Sequence, residues 1–251
     1  MTQKVKSVLI LGGTTEATAL IKSLSNNRQV KIILSLAGAT KTPILPEHIM
    51  VRIGGFGGIE GLSQWLIQHA IDILIDATHP FAAQITHNAW QAAQKTKTAF
   101  LRINRPAWQA CESDCWHPVA NMAQAAQALG ENPLRVFLTI GRKDLFPFKE
   151  CPIRHEYWIR SVDRPPEALL PVNAKTIQAR GPFDEASEIQ FLQTHHIDRL
   201  VTKNSGGQAT IAKLIAARKL GIPVVMVQRP ETESMPMVQT WLEAFEWLFK
   251  H

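Results

Sequence analysis

The stretch Val8-Leu9-Ile10-Leu11-Gly12-Gly13-Thr14-Thr15-Glu16 decides how the rest of the chain is read. A short, wholly apolar run fits a strand buried on both faces. Two glycines at its end permit a tight turn and bring backbone close to a ligand. Thr14 or Thr15 can cap a helix, and Glu16 to Leu24 continues with good helix formers. Strand, glycine turn and helix N-terminus together present free N–H groups and the positive end of a helix dipole, which suits a phosphate. The strict Gly-x-Gly-x-x-Gly pattern is not met, because Thr14 and Ala17 stand where its later glycines belong. The same residues also fit an ordinary strand-to-helix turn that binds nothing.

Working outward, the pattern repeats. Val30–Leu36 reads as a second strand, ending at Ser35-Leu36-Ala37-Gly38. In dinucleotide folds the end of the second strand holds the adenosine ribose. No acidic residue stands there and Lys41 is near, which points to NADP rather than NAD. Ile49–Ile53 is a third strand, running into Gly54-Gly55-Phe56-Gly57-Gly58. Four glycines in five residues mark backbone that passes close to something, or a flexible loop. Ile71–Ile75 ends at Asp76-Ala77-Thr78-His79-Pro80-Phe81, with Pro80 expected in the first turn of the next helix. Thr98–Arg102 leads to Asn104-Arg105-Pro106. Strand–helix alternation marks a parallel sheet covered on both faces, with ligands beyond the carboxyl ends of its strands. Gly12, Gly13, Ser35–Gly38, Gly54–Gly58 and Asp76–Pro80 are therefore expected to line one site.

The second half echoes the first at an offset of about 125 residues. Val8–Gly13 corresponds to Val136–Gly141, Asp72–Asp76 to Asp198–Thr202, and Phe100–Pro106 to Val225–Pro230. This implies an α/β chain of two Rossmann-like domains, 1–108 and 109–251, each a mainly parallel sheet flanked by helices, with a ligand cleft between them. The last helix, Val238–Lys250, is assigned to the second domain. Its Trp241, Leu242, Phe245, Leu248 and Phe249 are expected on one packing face.

Composition narrows the function classes. No run of about 18 apolar residues occurs, so no membrane span is expected. The N-terminus enters the first strand without a signal-type apolar segment, which predicts a cytoplasmic protein. Three cysteines are too few and odd in number for a disulfide framework. Cys111, Cys115 and His117 lack an obvious fourth ligand and the usual two-residue gap, so no metal is expected. The net charge is +6, but the lysines and arginines are scattered, with no nucleic-acid-binding motif. A basic cleft for a small polyanion uses the same electrostatics.

Seven segments, in order, resemble the precorrin-6A reductase family of cobalamin biosynthesis, in its metal-free or cobalt-containing form. They are Leu11-Gly-Gly-Thr-Thr-Glu-Ala17, Ser35-Leu-Ala-Gly38, Gly54-Gly-Phe-Gly-Gly58, Asp76-Ala-Thr-His-Pro-Phe-Ala82, Gly141-Arg142, Arg180-Gly-Pro-Phe183 and Lys203-Asn-Ser-Gly-Gly207. The resemblance implies NADPH as reductant, a tetrapyrrole substrate and reduction of one ring-D carbon–carbon double bond. Family members often carry Arg after Ser-x-Ala-Gly, where this chain has Ala39. Gly12, Gly13, Thr14, Thr15 and Glu16 are then expected at the pyrophosphate, and Ser35, Gly38 and Lys41 at the adenosine end. Gly55 and Thr78 would approach the ribose or nicotinamide. His79 would deliver a proton after hydride addition, and Asp76 would fix His79 or a ribose hydroxyl. Gly141, Arg142, Arg180, Lys203, Asn204, Ser205 and Gly206 would face the carboxylate-rich substrate. A competing reading is a two-domain protein that holds a dinucleotide or polyanion without chemistry. A methyltransferase on a similar glycine turn is a third, disfavoured by the missing acidic residue after the second strand.

Overall fold

The computed structural model describes residues 5–38, 49–151 and 154–250. Lys41 and Ala39 lie outside them. The chain opens with β1 (Lys6–Leu11), α1 (Thr15–Leu24), β2 (Val30–Leu36), β3 (Met50–Ile53), α2 (Gly58–Gln68), β4 (Ile73–Asp76), α3 (Ala83–Thr96) and β5 (Ala99–Ile103). It continues through β6 (Trp116–Val119), α4 (Met122–Gln127), β7 (Arg135–Thr139), α5 (Phe146–Lys149), β8 (Glu156–Ser161) and β9 (Ala174–Gln178). It closes with α6 (Glu185–Thr194), β10 (Arg199–Lys203), α7 (Ala212–Lys219), β11 (Val224–Val227), β12 (Met237–Val238) and α8 (Trp241–Lys250). No described helix is long and apolar enough to cross a membrane.

Alternation along β1 explains the layers. Val8 and Ile10 join a buried cluster with Leu20, Ile21 and Leu24 of α1 and with Ala244 and Leu248 of α8. Leu9 and Leu11 join the opposite cluster, with Leu62 and Leu66 of α2 and Ala89, Ala92 and Ala93 of α3. Successive side chains point to opposite faces, so only an uninterrupted apolar strand can serve two helical layers.

Two six-stranded sheets result, ordered β12-β5-β4-β1-β2-β3 and β6-β11-β10-β7-β8-β9. Every neighbouring pair is parallel. In each sheet the order reverses beside the central strand, β1 or β7, the switch point at which open α/β sheets bind ligands.

The sixth strands are exchanged. A plain tandem duplication would leave β6 beside β5 and β12 beside β11. Instead Met237 of β12 registers with Arg102 of β5, and Trp116 of β6 registers with Val224 of β11. The compact units are accordingly the chain up to Pro106 with the stretch from Glu231 onward, and Ala107–Pro230. This corrects the expected division at residue 108: α8 belongs with the first unit, where Ala244 and Leu248 are fully buried. Leu242 and Phe249 are exposed, because they lie about a quarter turn round the helix from Trp241. Strand β6 is not apparent from sequence because Pro118 interrupts it; it is tolerated at the edge of its sheet. The helix expected from Pro80 begins at Ala83, after a turn closed by Ala82 N–H donating to His79 O at 2.7 Å.

Candidate active site

In the first unit, the carboxyl edge begins with the turn after β1. Gly12 N–H donates to Ser35 O at 2.9 Å, which ties the turn to the end of β2. A Cβ on Gly12 would stand 2.5 Å from Leu34 Cδ1, so glycine here serves close packing. Gly13 has φ +107° and open space around its missing Cβ. Thr14 is the N-cap: its Oγ1 accepts from Ala17 N–H at 3.2 Å and donates to Ala77 O at 2.7 Å. One hydroxyl therefore caps α1 and fastens it to the loop after β4. Thr15 is exposed. Glu16 bonds Arg105 Nη1 at 2.6 Å, a partly buried ion pair that sequence did not indicate.

The loop after β4 is organised by Asp76, which is fully buried. Its Oδ1 accepts from Thr78 N–H at 3.0 Å and Thr78 Oγ1 at 2.6 Å, and its Oδ2 accepts from Thr86 Oγ1 at 2.7 Å. Arg102 Nε lies 3.8 Å from Oδ2. Burial lowers the pKa of Arg102, and the Asp76 charge opposes that shift. Asp76 thus acts on the loop's shape, and Thr78 is committed to it. His79 is partly exposed and accepts at Nδ1 from Phe81 N–H at 3.2 Å. In the neutral ring this places the proton on Nε2.

The next corner of this edge is built by β2 and β3. Ser35 registers with Arg52, and Arg52 Nη1 donates to Ser35 Oγ at 3.0 Å. Nη1 also donates to Gly54 O and Nη2 to Gly55 O, each at 2.9 Å. The guanidinium lies 3.7 Å from the Phe56 ring centroid and 5.9 Å from that of Trp65. Much of the glycine run has a backbone cause: Gly54, Gly57 and Gly58 have φ of +120°, +83° and +84°. Gly38 and Gly55 are at the same edge. Arg52 is the residue the sequence reading missed; its signal was a lone arginine in a short apolar strand, immediately before a glycine run.

The second unit repeats the plan with different chemistry. After β7 and Gly141 comes only a 3-10 turn, Arg142–Asp144, and the four-residue α5. Asp144 Oδ2 would lie 3.1 Å from a Cβ on Gly141, and it pairs with Lys203 Nζ at 2.6 Å. Arg142 is partly exposed and Arg180 exposed at the same carboxyl edge. Asn204 is buried, with Oδ1 accepting from Trp108 N–H at 2.8 Å and Nδ2 donating to Trp108 O at 3.1 Å. Arg229 caps the carbonyls of Asn204 and Ser205 at 2.9 and 3.1 Å. Gly206 follows at φ +71°. The side chain of Asn204 is therefore spent on the incoming crossover, while Arg142 and Arg180 remain at the surface. Among the described residues, no group of three or more His, Cys, Asp or Glu side chains is placed to hold a metal.

Comparison with known proteins decides the lineage. Residues 7–248 match the family described as Precorrin-6x reductase CbiJ/CobK. The chain belongs to the precorrin-6x reductase family. It is 46% identical over 237 residues to the Precorrin-6A reductase of Sinorhizobium sp, covering 94% of this chain and 90% of that protein. It is 41% identical to that of Rhodobacter capsulatus, covering 97% and 96%. A solved CobK precorrin-6A reductase superposes with a TM-score of 0.91 at 39% identity, covering 98% of this chain and 97% of the other. As a precorrin-6x reductase family member, the chain is an oxidoreductase with the two parallel sheets described above.

Proposed function

We propose that the chain is an NADPH-dependent precorrin-6A reductase that holds the dinucleotide on its first unit and meets the tetrapyrrole with strand ends of the second. The observation carrying this reading is the contrast between two equivalent turns. The turn after β1 opens a capped helix of 10 residues, whose first amides and dipole suit a pyrophosphate. The turn after β7 opens no comparable helix and carries the Asp144 carboxylate against Gly141. The first turn thus offers helix amides to a pyrophosphate, and the second does not. The space beside Gly13 and the charge of Arg52, which no carboxylate pairs among the described residues, fit the same cofactor.

When bound, NADPH supplies the hydride that reduces one carbon–carbon double bond of the macrocycle. The backbone of Gly12, Gly13, Thr14 and Thr15 holds the pyrophosphate, and Ser35 and Gly38 border the adenosine. Gly55 and the Thr78 loop close the same edge. Asp76 positions that loop, and with it His79, whose imidazolium form would give one proton to the neighbouring carbon and return to the neutral ring. Arg142 and Arg180 meet substrate carboxylates. Lys203, already paired with Asp144, sets the shape of the Gly141 turn, as Asn204, Ser205 and Gly206 set that of the β10 loop. Relatives named Precorrin-6A reductase are 41–46% identical, against 25–28% for those named Cobalt-precorrin-6A reductase, which favours the metal-free substrate. Three free cysteines fit a reducing compartment, so we place the enzyme in the cytoplasm.

The test is NADPH oxidation on addition of metal-free or cobalt precorrin-6A, with faster turnover expected for the former. No turnover with either overturns the assignment. Gly13→Ala forces a side chain onto φ +107° at a cost of about 1–3 kcal/mol and should weaken NADPH binding about tenfold or more. Gly141→Ala should leave it unchanged. The opposite pattern would move the dinucleotide to the second unit.

A further inference from the structure

Arg52 carries a positive charge that its described neighbours orient but do not neutralise. Its Nη1 spends both hydrogens, on Ser35 Oγ and Gly54 O, and its Nη2 spends one on Gly55 O. Those acceptors are all neutral. The remaining contacts are ring faces, Phe56 at 3.7 Å and Trp65 at 5.9 Å. Among the described residues no carboxylate pairs with it. A guanidinium has five donors, so among the described residues the Nε–H and one Nη2–H are left over. The side chain is half-buried, and burial lowers its pKa. A cation removed from part of its water without a counter-charge costs stability unless an anion arrives.

Its place says which anion. Arg52 registers with Ser35 at the carboxyl ends of β3 and β2. Beyond the second strand of such a sheet lies the adenosine ribose of a bound dinucleotide. An unphosphorylated ribose offers a 2′-hydroxyl there, for which a carboxylate is the natural acceptor. Ser35-Leu36-Ala37-Gly38 supplies none. A 2′-phosphate offers a dianion to a planar fork already held rigid by three bonds and a ring stack, so little side-chain freedom remains to be lost.

We propose that Arg52 is the residue that selects the 2′-phosphorylated dinucleotide, its spare donors meeting the 2′-phosphate. This rests on placing the dinucleotide in the first unit. The test needs no turnover: calorimetric titration of the whole chain with adenosine 2′,5′-bisphosphate and with adenosine 5′-monophosphate. Wild type should bind the bisphosphate the more tightly. Arg52→Gln should lower bisphosphate affinity about ten- to a hundredfold and leave the monophosphate within about twofold. Arg52→Lys, which keeps the charge and loses the fork, should recover part of the loss. In turnover, Arg52→Gln should lower kcat/KM for NADPH and spare that for NADH. Equal weakening of both probes by Arg52→Gln would reduce Arg52 to a clamp on the glycine loop. An unchanged ratio between the probes would dismiss it while leaving the dinucleotide site intact. Wild-type chain that binds neither probe overturns the site and the assignment together.

Discussion

Replacing Asp76 with alanine should unfold the first unit or bring it to the edge of unfolding. The carboxylate is fully buried and accepts three hydrogen bonds, from Thr78 N–H, Thr78 Oγ1 and Thr86 Oγ1. It also faces Arg102, itself 3% exposed and with Nη1 lacking a hydrogen-bond partner among the described residues. Removing one member of a buried pair costs about 3–5 kcal/mol, because the other charge stays buried and unpaired. Each donor stranded without water adds on the order of 1–3 kcal/mol. Neighbouring losses do not add fully, so a total of about 5 kcal/mol or more is expected. A domain has about 5–15 kcal/mol to lose. Asp76→Asn is milder: Oδ1 can still accept from Thr78, and the lost charge facing Arg102 remains the main cost, at about 3–5 kcal/mol. Urea unfolding followed by tryptophan fluorescence measures both, and turnover per folded molecule measures chemistry. Asp76→Asn should shift the urea midpoint down. A variant with the wild-type midpoint and no turnover would refute this reasoning, since the carboxylate would then act on the reactants and not on the loop.

Two further outcomes follow from burial. Lys213 is enclosed in the second unit, and its pKa falls to about 8 through burial, with Glu188 opposing and Arg160 assisting the fall. Between that value and the unfolded lysine value of about 10.4, the unfolded chain binds a proton that the folded chain does not, so this group's contribution to stability rises with pH across that window. Lys213→Met should remove the rise: its urea midpoint, compared with wild type, should be relatively higher near neutrality and lose that advantage at about pH 10. Parallel pH profiles would show that Lys213 does not titrate there. Leu248→Ala empties a fully buried position and should cost about 2–5 kcal/mol. Amide exchange should then quicken in α1 and β1 and stay unchanged in α6 and α7; the reverse would contradict the placement of α8 in the first unit.

Much of this was legible in the residues themselves. Apolar runs such as Val8–Leu11 and Val136–Ile140 must be strands covered on both faces, and Thr14 after two glycines must start a helix, because these are consequences of side-chain periodicity and local capping. The repeated order of those runs implied two parallel sheets, and the glycine turns marked their carboxyl edges. What tertiary structure decided was partnership. Strand β12 is two residues long and β6 contains Pro118, so neither announces itself, and nothing local says that each pairs outside its own half. The sequence points Asp76 towards His79 or a ribose hydroxyl; its saturation by other partners depends on Thr86 and Arg102, which reach it from α3 and β5. Arg52 looked like one basic residue among many until the absence of any carboxylate around it among the described residues became visible. Periodicity and capping are properties of neighbours along the chain, whereas charge balance, hydrogen-bond saturation and strand exchange are properties of neighbours in space.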